Sequence, residues 1–333
     1  MKRHVPGARL ASLLTLTVSC LATPALAQQP SATGEEPRGW RGGVTWGATL
    51  NLIQSGDVVG QADAFTVLVG TSLAGQATYV RGPHALSNSL QLELAWARTP
   101  AAAELVKSND VLRAESLYAY RVLDWTGPYA QWGLLTHLLP AEDVRPVELP
   151  YRIERRDGTV ERLVQSRLRL SPGLSPLTLE ESAGWSVRPV GSPGLTWDVR
   201  LGAGARQTLL REGTLVMLER EDTPEVDALE VGPVFQAGLA LATRMRGGLE
   251  EGRLGYELGA SALLPLVSNG AAGLTPLERV RLVLDARANV GILSWLTLSY
   301  QLLVVHDREF VRAVQTQNNL LLRFQYSLGN QER

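Results

Sequence analysis

Arginines and the carboxylates that could pair with them are the residues of this chain with the most chemistry to offer. Along Arg279-Val280-Arg281-Leu282-Val283-Leu284-Asp285-Ala286-Arg287-Ala288-Asn289-Val290, charged or polar side chains alternate with aliphatic ones, and Val283 alone breaks the pattern. Arg113, Glu115, Arg121, Arg200, Arg206, Arg253, Glu257 and Arg323 hold the polar positions of other alternating stretches. Two kinds of chemistry follow. Rings of Arg around a pore attract negative charge, which makes small anionic solutes candidate ligands. Arg–carboxylate pairs, with their bidentate hydrogen bonds, would instead fill an interior and stiffen it.

Nucleophiles and metal ligands are scarce. His84-Ala85-Leu86-Ser87-Asn88 is similar in content to the His-x-Ser-Asn-Gly motif of outer-membrane phospholipases, where the motif supplies base and nucleophile. Here two residues separate His84 from Ser87, and Ser89 stands in place of the glycine. Residues three apart on an extended strand point to opposite faces, so a polar turn entering a strand is the preferred reading. His137 shares a polar strand face with Gln131 and Gly133, but it has no His-x-His pair or acidic companion to build a metal site. His306-Asp307-Arg308-Glu309 reads as the start of a loop of solvated charges, and Arg246-Gly247-Gly248 as a turn. No catalytic residue, metal or cofactor is nominated.

These residues belong to an exported chain. Lys2, Arg3 and Arg9 accompany an apolar run from Leu10 to Ala22 that is too short to span a bilayer, and Ala25-Leu26-Ala27 is a small-x-small cleavage site. Residues 1–27 therefore read as a secretory signal peptide. Lipidation at Cys20 is the weaker alternative, because Thr17 stands where such a site usually carries Leu. Removing 27 of the 333 residues leaves 306, with 29 Lys/Arg against 33 Asp/Glu and a net charge of −4. Mild acidity without a basic patch argues against nucleic acid as a partner. Cys20 is the only cysteine, so residues 28–333 have no disulfide, thiolate catalysis or cysteine metal site. No later segment approaches the run of about 18 apolar residues that a helical span needs. A chain that is 45% hydrophobic must then place its apolar residues in alternation.

Period-two alternation recurs at 44–52, 64–74, 89–96, 111–123, 129–139, 177–187, 195–204, 229–242, 253–262, 279–290, 296–305 and 319–328. The expected fold class is all-β, a transmembrane antiparallel β-barrel of about twelve strands over residues 40–328. A polar leader (28–39) precedes it and a short tail (329–333) follows. An even strand number places both termini on one side, the periplasmic side in single-chain bacterial barrels. Long connections are expected outside (55–63, 98–110, 140–176, 210–228, 267–278, 307–313) and short turns inside, although the turn at 75–87 is longer than the connection before it. Within 140–176, Arg155-Arg156-Asp157-Gly158-Thr159 predicts a projecting β-ribbon.

A soluble barrel or sandwich would also alternate. Polar faces rich in Gly, Ser, Thr, Gln and Arg favour the membrane form. So do aromatics gathered toward the expected inner ends (Tyr118, Tyr120, Trp132, Trp185, Trp197, Tyr256, Phe324, Tyr326). A barrel of this size lies between small ones filled by side chains and large open porins, so a narrow or filled lumen is preferred.

Trp46-Gly47-Ala48-Thr49-Leu50-Asn51-Leu52, followed by Gln54-Ser55, is similar to the opening strand of an uncharacterised bacterial family of outer-membrane β-barrels, classed as a domain of unknown function. Asn88-Ser89-Leu90-Gln91-Leu92, Lys107-Ser108-Asn109-Asp110 and Tyr118-Ala119-Tyr120 resemble its third and fourth strands. Leu174-Ser175-Pro176-Leu177-Thr178 resembles a segment before the middle of its barrel. The resemblance implies a fold and an outer-membrane location and brings no catalytic residues. The last strand resembles the assembly signal of outer-membrane proteins, apart from the trailing Gly329-Asn330-Gln331-Glu332-Arg333. Outer-membrane lipid and the barrel-assembly machinery are the partners implied. The expected role is a non-enzymatic narrow channel or structural barrel. The alternatives are a lipid-acting enzyme or a surface docking protein that uses residues 140–176.

Overall fold

Alternation becomes sixteen strands in the computed structural model, which describes residues 39–55, 64–98, 104–192, 194–218, 225–249, 253–270, 274–293, 295–308 and 311–329. The expected signal peptide, nearly all of the leader and the tail beyond residue 329 lie outside the described residues. The strands are β1 (Gly39–Ser55), β2 (Ala64–Arg81), β3 (His84–Arg98), β4 (Val106–Tyr120), β5 (Thr126–Thr136), β6 (Ala141–Glu154), β7 (Val160–Ser171) and β8 (Leu177–Ser192). They continue with β9 (Leu195–Leu209), β10 (Leu215–Leu218), β11 (Val226–Glu230), β12 (Val234–Leu249), β13 (Leu254–Ser268), β14 (Arg281–Leu293), β15 (Leu296–Asp307) and β16 (Val311–Gly329).

Twelve of them close into one antiparallel barrel in the order β1-β16-β15-β14-β13-β12-β9-β8-β5-β4-β3-β2. Each of the twelve expected strands lies at or over one of these. The seam is a regular ladder, from Gly43 opposite Gly329 to Thr49 opposite Arg323. Closure satisfies every strand edge, which a sheet surrounded by lipid requires.

The faces sort by chemistry. On β14, Leu282, Leu284 and Val290 are exposed on the outside, whereas Arg281, Val283, Asp285 and Arg287 turn to the interior. Val283, the break in the pattern, packs inside against Leu303 and Val305. Trp40, Tyr118, Tyr120, Trp125, Trp295 and Phe324 are exposed toward one rim. There Trp295 stacks on Phe324 at 5.9 Å and Trp40 lies 5.1 Å from Tyr79. Trp132 departs from that belt and sits mid-barrel on β5.

Short turns gather at the aromatic rim. β2 and β3 are joined by Gly82-Pro83 alone, with Gly82 at φ 56° supplying the left-handed turn. The long turn expected at 75–87 is thus corrected: Gln76 to Val80 continue the ladder, opposite Ser89 to Ala85. The first connection of the other rim is then longer than the turn after it, as the barrel pattern requires. Gly39 and Gly329 both lie at the short-turn rim.

The remaining four strands form a separate sheet, β10-β11-β6-β7, built from the two longest connections. The expected ribbon is β6–β7. Its turn closes with Arg155 N–H donating to Thr159 O at 2.8 Å, with Gly158 at φ 83°. Asp157 Oδ1 accepts from Thr159 N at 2.9 Å. Residues 210–228, expected as a plain loop, instead supply β10 and the start of β11, and β11 pairs in parallel with β6. Gly232-Pro233 breaks what had read as one strand over 229–242 into β11 and β12. The edge strands β10 and β7 approach each other, so the sheet curls around a core of Tyr151, Ile153, Leu168, Leu215, Met217 and Ala228. This cap has an interior of its own.

Candidate functional site

The twelve inward faces converge on the lumen, and its charges form layers. Nearest the long connections, Glu180 on β8, Arg206 on β9, Arg281 on β14 and Asp307 on β15 make a ring. Arg206 donates to Asp307 at 2.5 Å and lies 3.9 Å from Glu180. Arg281 lies 3.1 Å from Glu180 and 3.6 Å from Asp307. β8 and β14 stand four places apart in the barrel order, as do β9 and β15, so these pairs cross the lumen. Each guanidinium meets both carboxylates, and the ring balances two charges of each sign. Beneath it, Val283, Leu303 and Val305 form a small apolar band.

Toward the short-turn rim the charge is less balanced. Arg113 lies 3.0 Å from Glu115 on β4, and Arg323 lies 3.7 Å from Glu93, which also accepts from Gln91 at 2.7 Å. Glu257 on β13 is shared by Arg244 at 3.2 Å and Arg246 at 3.5 Å, both on β12, and it stands opposite Arg287 in the β13–β14 ladder. Arg188 takes Asp198 at 2.9 Å. Arg200 differs from all of these. It is 9% exposed, donates to Gln131 Oε1 and lies 5.8 Å from the centre of the Tyr129 ring. Among the described residues no carboxylate lies within ion-pair distance of it. A buried guanidinium held by an amide and an aromatic face keeps donors for another anion.

Of the expected lumen charges, Arg113, Glu115, Arg200, Arg206, Glu257, Arg281, Asp285, Arg287 and Arg323 stand on inward faces of barrel strands. Three others do not. Arg253 sits exposed in the turn before β13, and Arg121 lies in the connection after β4. Arg279 lies in the turn before β14, its Nε donating to Leu274 O at 3.0 Å. In each case the alternation was carried past the point where the ladder ends.

Sequence reasoning also left out residues that matter. Asp307 is 6% exposed at the end of β15 and anchors the ring, where a solvated loop was expected. Arg244 lies on β12, which runs to Leu249, past the strand end expected at residue 242 and through the turn expected at Arg246-Gly247-Gly248. The continuing alternation of Ala242, Arg244 and Arg246 was the signal for it. Glu180 and Asp198 also take part: Glu180 meets Arg281 across the lumen, and Asp198 meets Arg188 on the neighbouring strand.

The histidines stay apart from this network. His84 lies at the outer surface with its Nδ1 2.7 Å from the Tyr118 hydroxyl, and Ser87 points to the opposite face, so no dyad forms between them. His137 lies just past β5, not on its polar face, and its ring nitrogen meets the backbone oxygen of Asp110. Asp110 accepts from Leu138 N at 2.9 Å, Leu139 N at 2.6 Å and Lys107 Nζ at 3.1 Å, fastening the chain that leaves for the cap. Among the described residues, no three His, Asp or Glu side chains gather as a metal site.

The class defined by this geometry is a closed antiparallel barrel with an apolar exterior and a charge-braced lumen. No protein-family model matches the chain, and no curated protein sequence matches it. Solved structures similar to it are outer-membrane proteins. An outer membrane channel from Pseudomonas putida F1 aligns over 90% of this chain and 98% of its own, with 11% identity and a TM-score of 0.40. The β domain of the Bordetella autotransporter BrkA covers 86% and 98%, with 10% identity and a TM-score of 0.36. The translocator domain of the autotransporter NalP from Neisseria meningitidis covers 88% and 89%, with 12% identity and a TM-score of 0.35.

Proposed function

We propose that this chain is a non-enzymatic outer-membrane β-barrel whose narrow, charge-lined lumen passes small ions and favours anions. Its inverted surface carries the proposal. Trp46 and Leu201 are more than half exposed on the outer face, while Arg113, Arg200, Glu257, Arg287 and Asp307 are buried within. A belt of that kind would drive association in water and is what a barrel presents to hydrocarbon. Gly39 and Gly329, the first and last described residues, both lie at the short-turn rim, which suits a periplasmic placement of that rim. The ring of Glu180, Arg206, Arg281 and Asp307 narrows the lumen, and Arg200 supplies positive charge without a paired carboxylate.

The test is conductance of the refolded full chain in planar lipid bilayers. Small discrete steps, with a reversal potential displaced toward the chloride equilibrium potential, would support the reading. A barrel proven inserted by heat-modifiable migration yet electrically silent would refute the channel and leave a structural barrel.

A further inference from the structure

We propose that the half of the lumen nearest the short turns is a binding site for a small oxyanion, held by Arg200, Arg244 and Arg246. The inference deepens the channel reading and rests on it only for the solute's route through the lumen. The three arginines form a graded descent. The Arg246 side chain is 53% exposed near the rim, that of Arg244 is 19% exposed, and Arg200 is 9% exposed further in. Arg200 stands opposite Ala242, and Arg244 stands opposite Asp198. The two guanidiniums therefore leave adjacent strands one rung apart on the same face, close enough to grip one ligand.

Acid does not cancel this group. Asp198 is engaged by Arg188, and the single carboxylate of Glu257 serves both Arg244 and Arg246. Glu115 and Asp198 lie within electrostatic reach of Arg200, and Glu115 and Asp285 within reach of Arg244. Glu115 pairs directly with Arg113, however, and among the described residues no carboxylate comes within ion-pair distance of Arg200. Gly202, the next inward position after Arg200, and Gly184 beside it carry no side chain into the space above. Their backbones approach so closely that neither position admits a Cβ. Gln131 and the Tyr129 face hold Arg200 in place, so little side-chain freedom is lost on binding.

Planar guanidinium forks match oxyanions, phosphate or carboxylate, better than a spherical halide. The chemistry therefore selects a small phosphate-bearing or multiply carboxylated solute over chloride. The balanced ring at the other mouth offers no comparable excess, so binding belongs at the short-turn end.

The experiment is isothermal titration calorimetry of the full chain in detergent, first with inorganic phosphate and then with succinate, against a chloride background. Saturable heat with either is expected, and the better ligand identifies the group recognised. Arg200→Gln and Arg244→Gln should each weaken it about tenfold or more, as loss of a charge-assisted contact implies. Arg162→Gln, in the cap, should leave it within about twofold. Two results would overturn the site: no heat from a wild-type chain shown folded by heat-modifiable migration, or undiminished binding in the Arg200→Gln/Arg244→Gln double variant. Bilayer recordings on the same preparation separate the two proposals. Silence with intact phosphate binding refutes the channel alone, and conductance without binding refutes the site alone.

Discussion

The barrel and its cap answer the same problem in opposite ways. In the cap, Tyr151 and Ile153 are fully buried and the charged residues Arg156, Arg162 and Arg169 face out. In the barrel, leucines and tryptophans face out and charge is packed inside. Exposure alone does not separate them: Val164 on β7 is 68% exposed and Leu201 on β9 is 58% exposed. What differs is the solvent each outer face is built for. A single chain can carry both arrangements because the cap strands are drawn from connections at one rim, beyond the aromatic and leucine belt.

Four measurements would break or sharpen that contrast. The largest effect is expected from Ile153→Asp, which leaves an unpaired carboxylate in the cap core at a cost of about 5 kcal/mol. Trypsin should then cut between residues 145 and 169 while the heat-modifiable barrel survives; loss of both together would mean that the cap has no independent core. Next, Asp307→Asn removes one of the two carboxylates that Arg206 and Arg281 share. A cost of about 3 kcal/mol is expected in urea unfolding from micelles, with a larger channel conductance. An unchanged midpoint and conductance would mean that the ring neither braces nor narrows the lumen.

Leu201→Arg and Val164→Arg test the outer faces directly. On the membrane side the substitution should cost about 2–4 kcal/mol in lipid vesicles. On the cap it should stay within about 0.5 kcal/mol. Equal costs would remove the distinction.

The smallest effect concerns the Tyr151 phenol. Burial and its hydrogen bond to Asp143, at 2.8 Å, push its pKa up to about 12. The folded cap thus prefers the neutral phenol. That contribution is full below the ordinary phenol pKa of about 10 and is lost as pH rises through about 12. Tyr151→Phe should delete the last phenol ionisation step seen by ultraviolet absorbance, and an unaltered titration curve would count against the burial of Tyr151.

Much of the barrel was legible because period two is a local property. Leu282 and Leu284 against Arg281 and Asp285 assign two faces without knowledge of any neighbour. Asp157-Gly158 announced its turn for the same reason. The ring was not legible. Arg206 and Asp307 are 101 residues apart, and alternation states that each faces inward without naming what it meets. Strand ends were the weak point. Local pattern places Arg246 in a turn and Asp307 in a loop, and Arg253 and Arg279 in strands, because only ladder hydrogen bonds mark where pairing stops. The parallel join of β11 to β6 had no local signature either, since a four- or five-residue strand is too short to show a period.

The sequence by itself determined which residues share a face, how many strands cross and where the connections lengthen, since each follows from side chains alternating along an extended backbone. The tertiary structure alone decided which charges pair, that Arg200 is left to an amide and a ring, and that two connections fold into one cap. Those outcomes depend on barrel radius and register. An arginine of fixed length reaches a carboxylate across the lumen only when closure brings the two walls within its span.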